Sequence, residues 1–101
     1  MAHEVAATIL AQLGGRRFTI MTGVKQFVGS PAALSFSIPM RTKNKANKCR
    51  ITLTTRDVYM IEFFRLNRKT LELTALDTHE DVYADMLQEV FTAATGLYTQ
   101  L

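Results

Sequence analysis

Between residues 41 and 50 the chain reads Arg41-Thr42-Lys43-Asn44-Lys45-Ala46-Asn47-Lys48-Cys49-Arg50. Five of these ten residues are basic and none is acidic. Cations at that density suit a polyanion, because each Lys or Arg that meets a phosphate releases a condensed counterion, and Asn44 and Asn47 add hydrogen bonds. If about four of them met phosphates, log K would fall with log salt at a slope of about −3.6. A solvated loop that discourages edge pairing is the competing reading of the same residues. Arg16, Arg17 and Lys25 extend the basic surface. The candidate nucleic-acid-binding set is therefore Arg16, Arg17, Lys25, Arg41, Lys43, Lys45, Lys48 and Arg50.

Other chemistries find less support. Cys49, His3 and His79 are the candidates for nucleophilic catalysis, and none has an evident orienting partner. Cys49 falls on the apolar phase of its segment, where cysteine behaves as a small hydrophobe. Gly14-Gly15-Arg16-Arg17 and Gly23-Val24-Lys25 lack the Lys-Ser/Thr step that a phosphate-binding loop places at a helix N-terminus. Asp77, His79, Asp81, Asp85 and Glu89 form an acidic counterpart, with Asp81, Asp85 and Glu89 at the spacing of one helical stripe. Their spacing matches no recognised metal-ligand set, and helix capping plus a solvated face accounts for them. Such a stripe could also mimic nucleic acid towards a basic protein. Neither a cofactor nor a metal is expected, and the chain reads as a non-enzyme.

The net charge of +3 over 101 residues conceals a division. Residues 1–56 hold nine Lys/Arg against Glu4 alone, and residues 57–101 hold three against eight acids. A dipolar chain of this kind suggests a polyanionic or acidic partner, unless the halves interleave on folding. An apolar fraction of 48% and a charged fraction of 21% are globular values, and they exclude disorder. One cysteine excludes a disulfide framework and a Cys-rich zinc site. The apolar stretch from Met1 to Leu13 is broken by His3, Glu4 and Gln12, short of the roughly 18 residues of a membrane span. No membrane contact and a cytoplasmic location are the expectation.

One α+β domain over residues 1–101 must position these side chains. Val5, Ile9 and Leu13 recur at helical spacing up to Gly14-Gly15, which close a first helix. From Arg17 to Ala75 the pattern alternates. Phe18 and Ile20 predict a half-buried strand that stops near Gly23, and Gly29-Ser30-Pro31 predicts a turn. Leu34/Phe36/Ile38, Cys49/Ile51/Leu53, Tyr59/Ile61/Phe63 and Leu71/Leu73/Ala75 predict further strands. Short connections at residues 55–57 and 67–69 make neighbours antiparallel. The basic segment lies between two strands as a long, mobile hairpin loop. Asp77-Thr78-His79-Glu80 reads as a capping box opening a helix whose apolar face runs through Val82, Met86, Val90 and Phe91 to Gly96. Leu97, Tyr98 and Leu101 would dock a short tail. The architecture expected is a helix, an antiparallel sheet of four or five strands and a C-terminal helix, with the helices on one sheet face.

The runs Gln12-Leu13-Gly14-Gly15-Arg16-Arg17-Phe18, Met21-Thr22-Gly23-Val24-Lys25, Ile51-Thr52-Leu53, Tyr83-Ala84-Asp85 and Thr95-Gly96-Leu97-Tyr98-Thr99 resemble a family of small proteins from bacteriophages and other mobile elements, from about Thr8 to Leu101. The resemblance implies a genomic context in a bacterial host cell, and no catalytic residue is carried over by it. It implies two classes of role, DNA- or RNA-handling accessories and inhibitors of host defence.

A non-enzymatic protein that binds nucleic acid, DNA or RNA, through its basic loop and surface is the function these readings favour. The alternative is a stoichiometric inhibitor of a host defence complex, of the anti-CRISPR type, or a factor docking on a phage protein complex. A homodimer formed through an exposed sheet edge is compatible with either.

Overall fold

In a computed structural model the described residues are 4–97. The chain forms α1 (Glu4–Leu13) and α2 (Arg16–Thr22), then strands β1 (Lys25–Ser30), β2 (Ala33–Ser37), β3 (Lys48–Leu53), β4 (Tyr59–Leu66) and β5 (Leu73–Val82). A single 3-10 turn over Ala84–Met86 leads into α3 (Leu87–Thr95). The five strands form one antiparallel sheet in sequence order, so β1 and β5 are its edges. This is an α+β fold.

The core lies between one sheet face and the helices. Ala6, Ile9 and Leu13 of α1 pack with Leu34, Phe36, Cys49, Ile51, Tyr59, Ile61 and Phe63 from the inner strands, and with Leu87 and Phe91 of α3. Period two in the inner strands meets period 3.6 in the helices, which is what lets each face bury its apolar residues once. Phe18 stands at the centre, edge-on to Phe36 at 5.5 Å and to Phe91 at 5.2 Å between ring centroids. Fully buried aromatic side chains of this kind each contribute about 1.5–3 kcal/mol of transfer free energy. Gly15 (φ 59°) turns the chain out of α1, its N–H donating to the Leu10 carbonyl at 2.9 Å. Gly96 (φ 77°, ψ 3°) ends α3 in the left-handed conformation that glycine adopts without steric cost.

Four expectations are corrected. Phe18 and Ile20 belong to a helix, not to a strand: Phe18 and Thr22, four apart, are buried, whereas Ile20 is 69% exposed. Seven residues between two glycines are too few for alternation to be told from a helical face, and the core selects the helix. Asp77-Thr78-His79-Glu80 forms no capping box. It lies in β5, where Asp77, Thr78 and His79 stand opposite Phe63, Glu62 and Ile61. The ladder satisfies the free edge of β4, and that non-local gain outweighs a local cap. The strand expected from Leu71 to Ala75 thus begins at Leu73 and continues to Val82, so Asp81, Asp85 and Glu89 share no helical stripe. Gly29 and Ser30 end β1, and the turn itself is Pro31-Ala32. Leu97 packs against the core as expected of the tail, while Tyr98 and Leu101 lie outside the described residues.

Among the described residues no helix packs on the opposite sheet face. It carries Ser35, Arg50 and Glu62 in one row and Ser37, Lys48 and Phe64 in the next.

Candidate nucleic-acid interface

The basic segment is tied to the rest of the fold by hydrogen bonds, and its cations alternate with less exposed residues. Arg41, Lys43 and Lys45 are exposed, whereas Thr42 and Ala46 between and beside them are buried. The Thr42 hydroxyl donates to the Ala46 carbonyl at 2.8 Å, and the Lys43 N–H donates to the Thr95 carbonyl at the end of α3 at 2.7 Å. Asn44 Oδ1 accepts the Ala46 N–H at 3.2 Å, and its Nδ2 donates to Asp77 Oδ2 at 3.3 Å. Asn47 Nδ2 and Oδ1 clasp the carbonyl and N–H of Leu66 at 3.0 and 2.7 Å. The two asparagines expected to reach a phosphate are therefore committed to organising the loop. Bonds of this type, satisfying backbone groups within the chain, contribute about 1 kcal/mol each.

What the loop presents is a concavity of about 790 Å³ at one end of the sheet. Arg41, Lys43 and Lys45 line it together with Arg65 from β4 and Arg68 from the β4–β5 connection. Arg65 Nη1 donates to the Lys45 carbonyl at 3.0 Å, tying the strand to the loop. Arg68 is displayed by a turn built on Asn67, whose Oδ1 accepts the N–H groups of Lys69 and Thr70 at 2.9 and 3.3 Å. A second concavity of about 280 Å³ adjoins the first through Asn47 and Arg68, and it adds Lys25 of β1 and Lys48 of β3. Ser37 sits beside both, accepting from Lys48 Nζ at 3.3 Å and donating to Gln26 Oε1 at 2.7 Å. Leu66 and Leu71 supply its apolar wall. No Asp or Glu lines either concavity.

Backbone strain collects at the same place. Among the described residues five non-glycine residues have φ in the left-handed region: Gln26 (58°), Lys45 (66°), Asp57 (61°), Leu71 (63°) and Asp81 (55°). Aspartate tolerates that region, so Asp57 and Asp81 need little explanation. Gln26, Lys45 and Leu71 do not, and each costs about 1–2 kcal/mol. All three line one or other of the two concavities. Leu71 is also 73% exposed, so packing does not compensate it. Strain of this kind is characteristic of ligand clamps and functional sites.

Of the eight basic residues singled out in the sequence, Arg41, Lys43 and Lys45 line the larger concavity and Lys25 and Lys48 the smaller. Arg50 stands apart on the open sheet face. Its Nε and Nη2 lie 3.0 and 2.9 Å from Glu62 Oε1, and its Cζ lies 5.4 Å from the Phe64 ring centroid. Arg16 and Arg17, exposed on α2, line neither concavity. Arg65 and Arg68 were missed because they lie in the acidic half of the chain. The hairpin connection that folds β4 back onto β5 carries Arg68 across to the basic loop. The halves do interleave elsewhere, through Arg50–Glu62 and through Arg56–Asp81 at 3.1 Å. The basic end of the sheet escapes that cancellation.

Of the remaining candidates, His3 lies outside the described residues. Cys49 is buried in the core, and burial first, the Glu62 carboxylate second, pushes its thiol well above the ordinary range. His79 packs edge-on to Phe63 with ring centroids 5.9 Å apart, and its buried Nε2 has no hydrogen-bond partner. Among the described residues no group of His, Cys, Asp and Glu could hold a metal ion, and no helix is long and apolar enough to cross a membrane. No family model, curated protein or solved structure matches this chain.

Proposed function

We propose that this chain is a non-enzymatic accessory protein, of a phage or mobile element, that binds the sugar–phosphate backbone of a nucleic acid at its basic sheet end. One observation carries the reading. Seven cations (Lys25, Arg41, Lys43, Lys45, Lys48, Arg65 and Arg68) drawn from five parts of the chain line two adjoining concavities that no carboxylate lines. Folding brings like charges together here against their mutual repulsion, on a loop anchored by hydrogen bonds and with strained residues at the rim. A purely solvated surface requires neither the convergence nor the strain. Phosphates recruited by such cations give affinity without base identity, so binding is expected to be sequence-tolerant and salt-sensitive.

The direct experiment is capture from bacterial lysate on the immobilised protein, with and without nuclease. Co-purifying DNA or RNA that disappears on nuclease treatment, and is lost from Arg41→Ala/Lys43→Ala/Arg68→Ala, supports the reading. Retention of a protein partner unaffected by nuclease, with no nucleic acid recovered, overturns it in favour of a stoichiometric protein inhibitor.

A further inference from the structure

We propose that the nucleic acid is a single strand, with its backbone in the two basic concavities and a base stacked on the outer face of the Arg50 guanidinium. This rests on the nucleic-acid reading of the same site and goes on to name the strand state. The recesses select by shape. The cations line recesses, and a double helix presents its phosphates on a convex rod that reaches the rims of a recess and not its walls. A single strand enters. The smaller recess pairs Lys25, Lys48 and Arg68 with the apolar side chains of Leu66 and Leu71, so one part suits a phosphate and another an unstacked base.

Arg50, outside the recesses, points to the same strand state independently. Lys48 and Arg50 are two apart on β3 and so share the open sheet face, with Phe64 opposite Lys48 and Glu62 opposite Arg50. Lys48 therefore connects the smaller recess to this face. Glu62 holds the guanidinium edge-on through two nitrogens, and Phe64 lies beneath it at 5.4 Å. The Arg50 side chain nevertheless stays half exposed. A planar cation pinned from below and at one edge offers its remaining face to another π-system. Bases of a single strand have free π-faces and stack on aromatic and arginine planes, whereas those of a duplex are already stacked on one another.

The test uses fluorescence anisotropy at low salt with the full chain and four probes of 15 nucleotides: a mixed-sequence DNA strand, the same strand as RNA, the DNA duplex, and an abasic deoxyribose–phosphate strand. Both base-bearing single strands should bind at least about tenfold more tightly than the duplex and about fivefold or more above the abasic strand, from stacking of one base. Any preference between the DNA and RNA strands identifies the natural source. Arg50→Lys, which keeps the charge and loses the plane, should erase the gap between the base-bearing and abasic strands while leaving the abasic affinity unchanged. Duplex binding equal to or tighter than single-strand binding overturns the inference and leaves the nucleic-acid reading standing, and so does equal affinity for the abasic strand. Absence of binding to all four probes removes both.

Discussion

Asn47 and Leu66 close a two-point clasp: the amide of one residue before β3 donates to the carbonyl and accepts the N–H of the last residue of β4, at 3.0 and 2.7 Å. This pairing continues the β3–β4 ladder by a side chain where the backbone ladder stops. It also fixes the basic loop relative to Arg65 and Arg68, on which the proposed interface depends.

Asn47→Ala removes both bonds and leaves the end of β4 short of partners. We expect a loss of about 2 kcal/mol of stability, read by urea denaturation, and a melting temperature lower by roughly 10 °C. Asn47→Asp keeps the acceptor for the Leu66 N–H and loses the donor, so it should fall between alanine and the wild type. Equal stability of all three proteins would show that the clasp contributes nothing.

Leu71 holds a left-handed backbone with its side chain exposed. Asparagine adopts that conformation at lower cost, so Leu71→Asn should stabilise the fold by about 0.5–1 kcal/mol. The same change removes apolar wall from the smaller concavity, so affinity for a single strand should drop as stability rises. A stability gain without any loss of binding would separate the strain from the function.

How much of this was readable beforehand divides along a physical line. β2, β3 and β4 bury one face, and Leu34/Phe36, Cys49/Ile51 and Tyr59/Ile61/Phe63 announce it by alternation. The edge strands are solvated along most of their length, with Val82 the one buried residue of β5, so alternation at Leu73/Ala75 marks only the start of β5 and no period marks β1 or the rest of β5. There the local signals dominated, and Asp77-Thr78-His79-Glu80 suggested a cap because its pairing with β4 is invisible locally. In α2, Phe18 and Thr22 carried the helical spacing, but Ile20 supplied a competing alternation. The site was half legible. Arg41, Lys43 and Lys45 alternating with Thr42, Asn44 and Ala46 is itself the signature of an anchored loop with outward cations. Arg65 and Arg68 required the hairpin to be folded before they joined it.

Cys49 makes a pH prediction. Burial raises its thiol pKa in the folded chain, so the unfolded chain deprotonates first. The contribution to stability is fully present below about pH 8.5 and falls by about 1.4 kcal/mol per pH unit as pH rises above it. Urea denaturation at pH 8, 9 and 10 should therefore show the wild type losing more stability than Cys49→Ala, since other titrating groups are common to both. Parallel curves would contradict the assignment. In the native protein the thiol should also resist aromatic disulfide reagents until urea exposes it.

The central claim, that the basic sheet end meets phosphates, is tested most directly by the salt dependence of single-strand binding. Affinity for a 15-nucleotide strand would be titrated from 50 to 300 mM salt for the wild type, Arg41→Ala/Lys43→Ala/Arg68→Ala, and Arg16→Ala/Arg17→Ala. With five to seven phosphate contacts the wild-type slope of log K against log salt should be about −3.5 to −5. The triple variant should flatten it by about 2, near 0.7 for each lost contact. The Arg16/Arg17 variant should leave it unchanged, since neither residue lines the concavities. A wild-type slope near zero, or equal flattening by the two variants, would contradict the account.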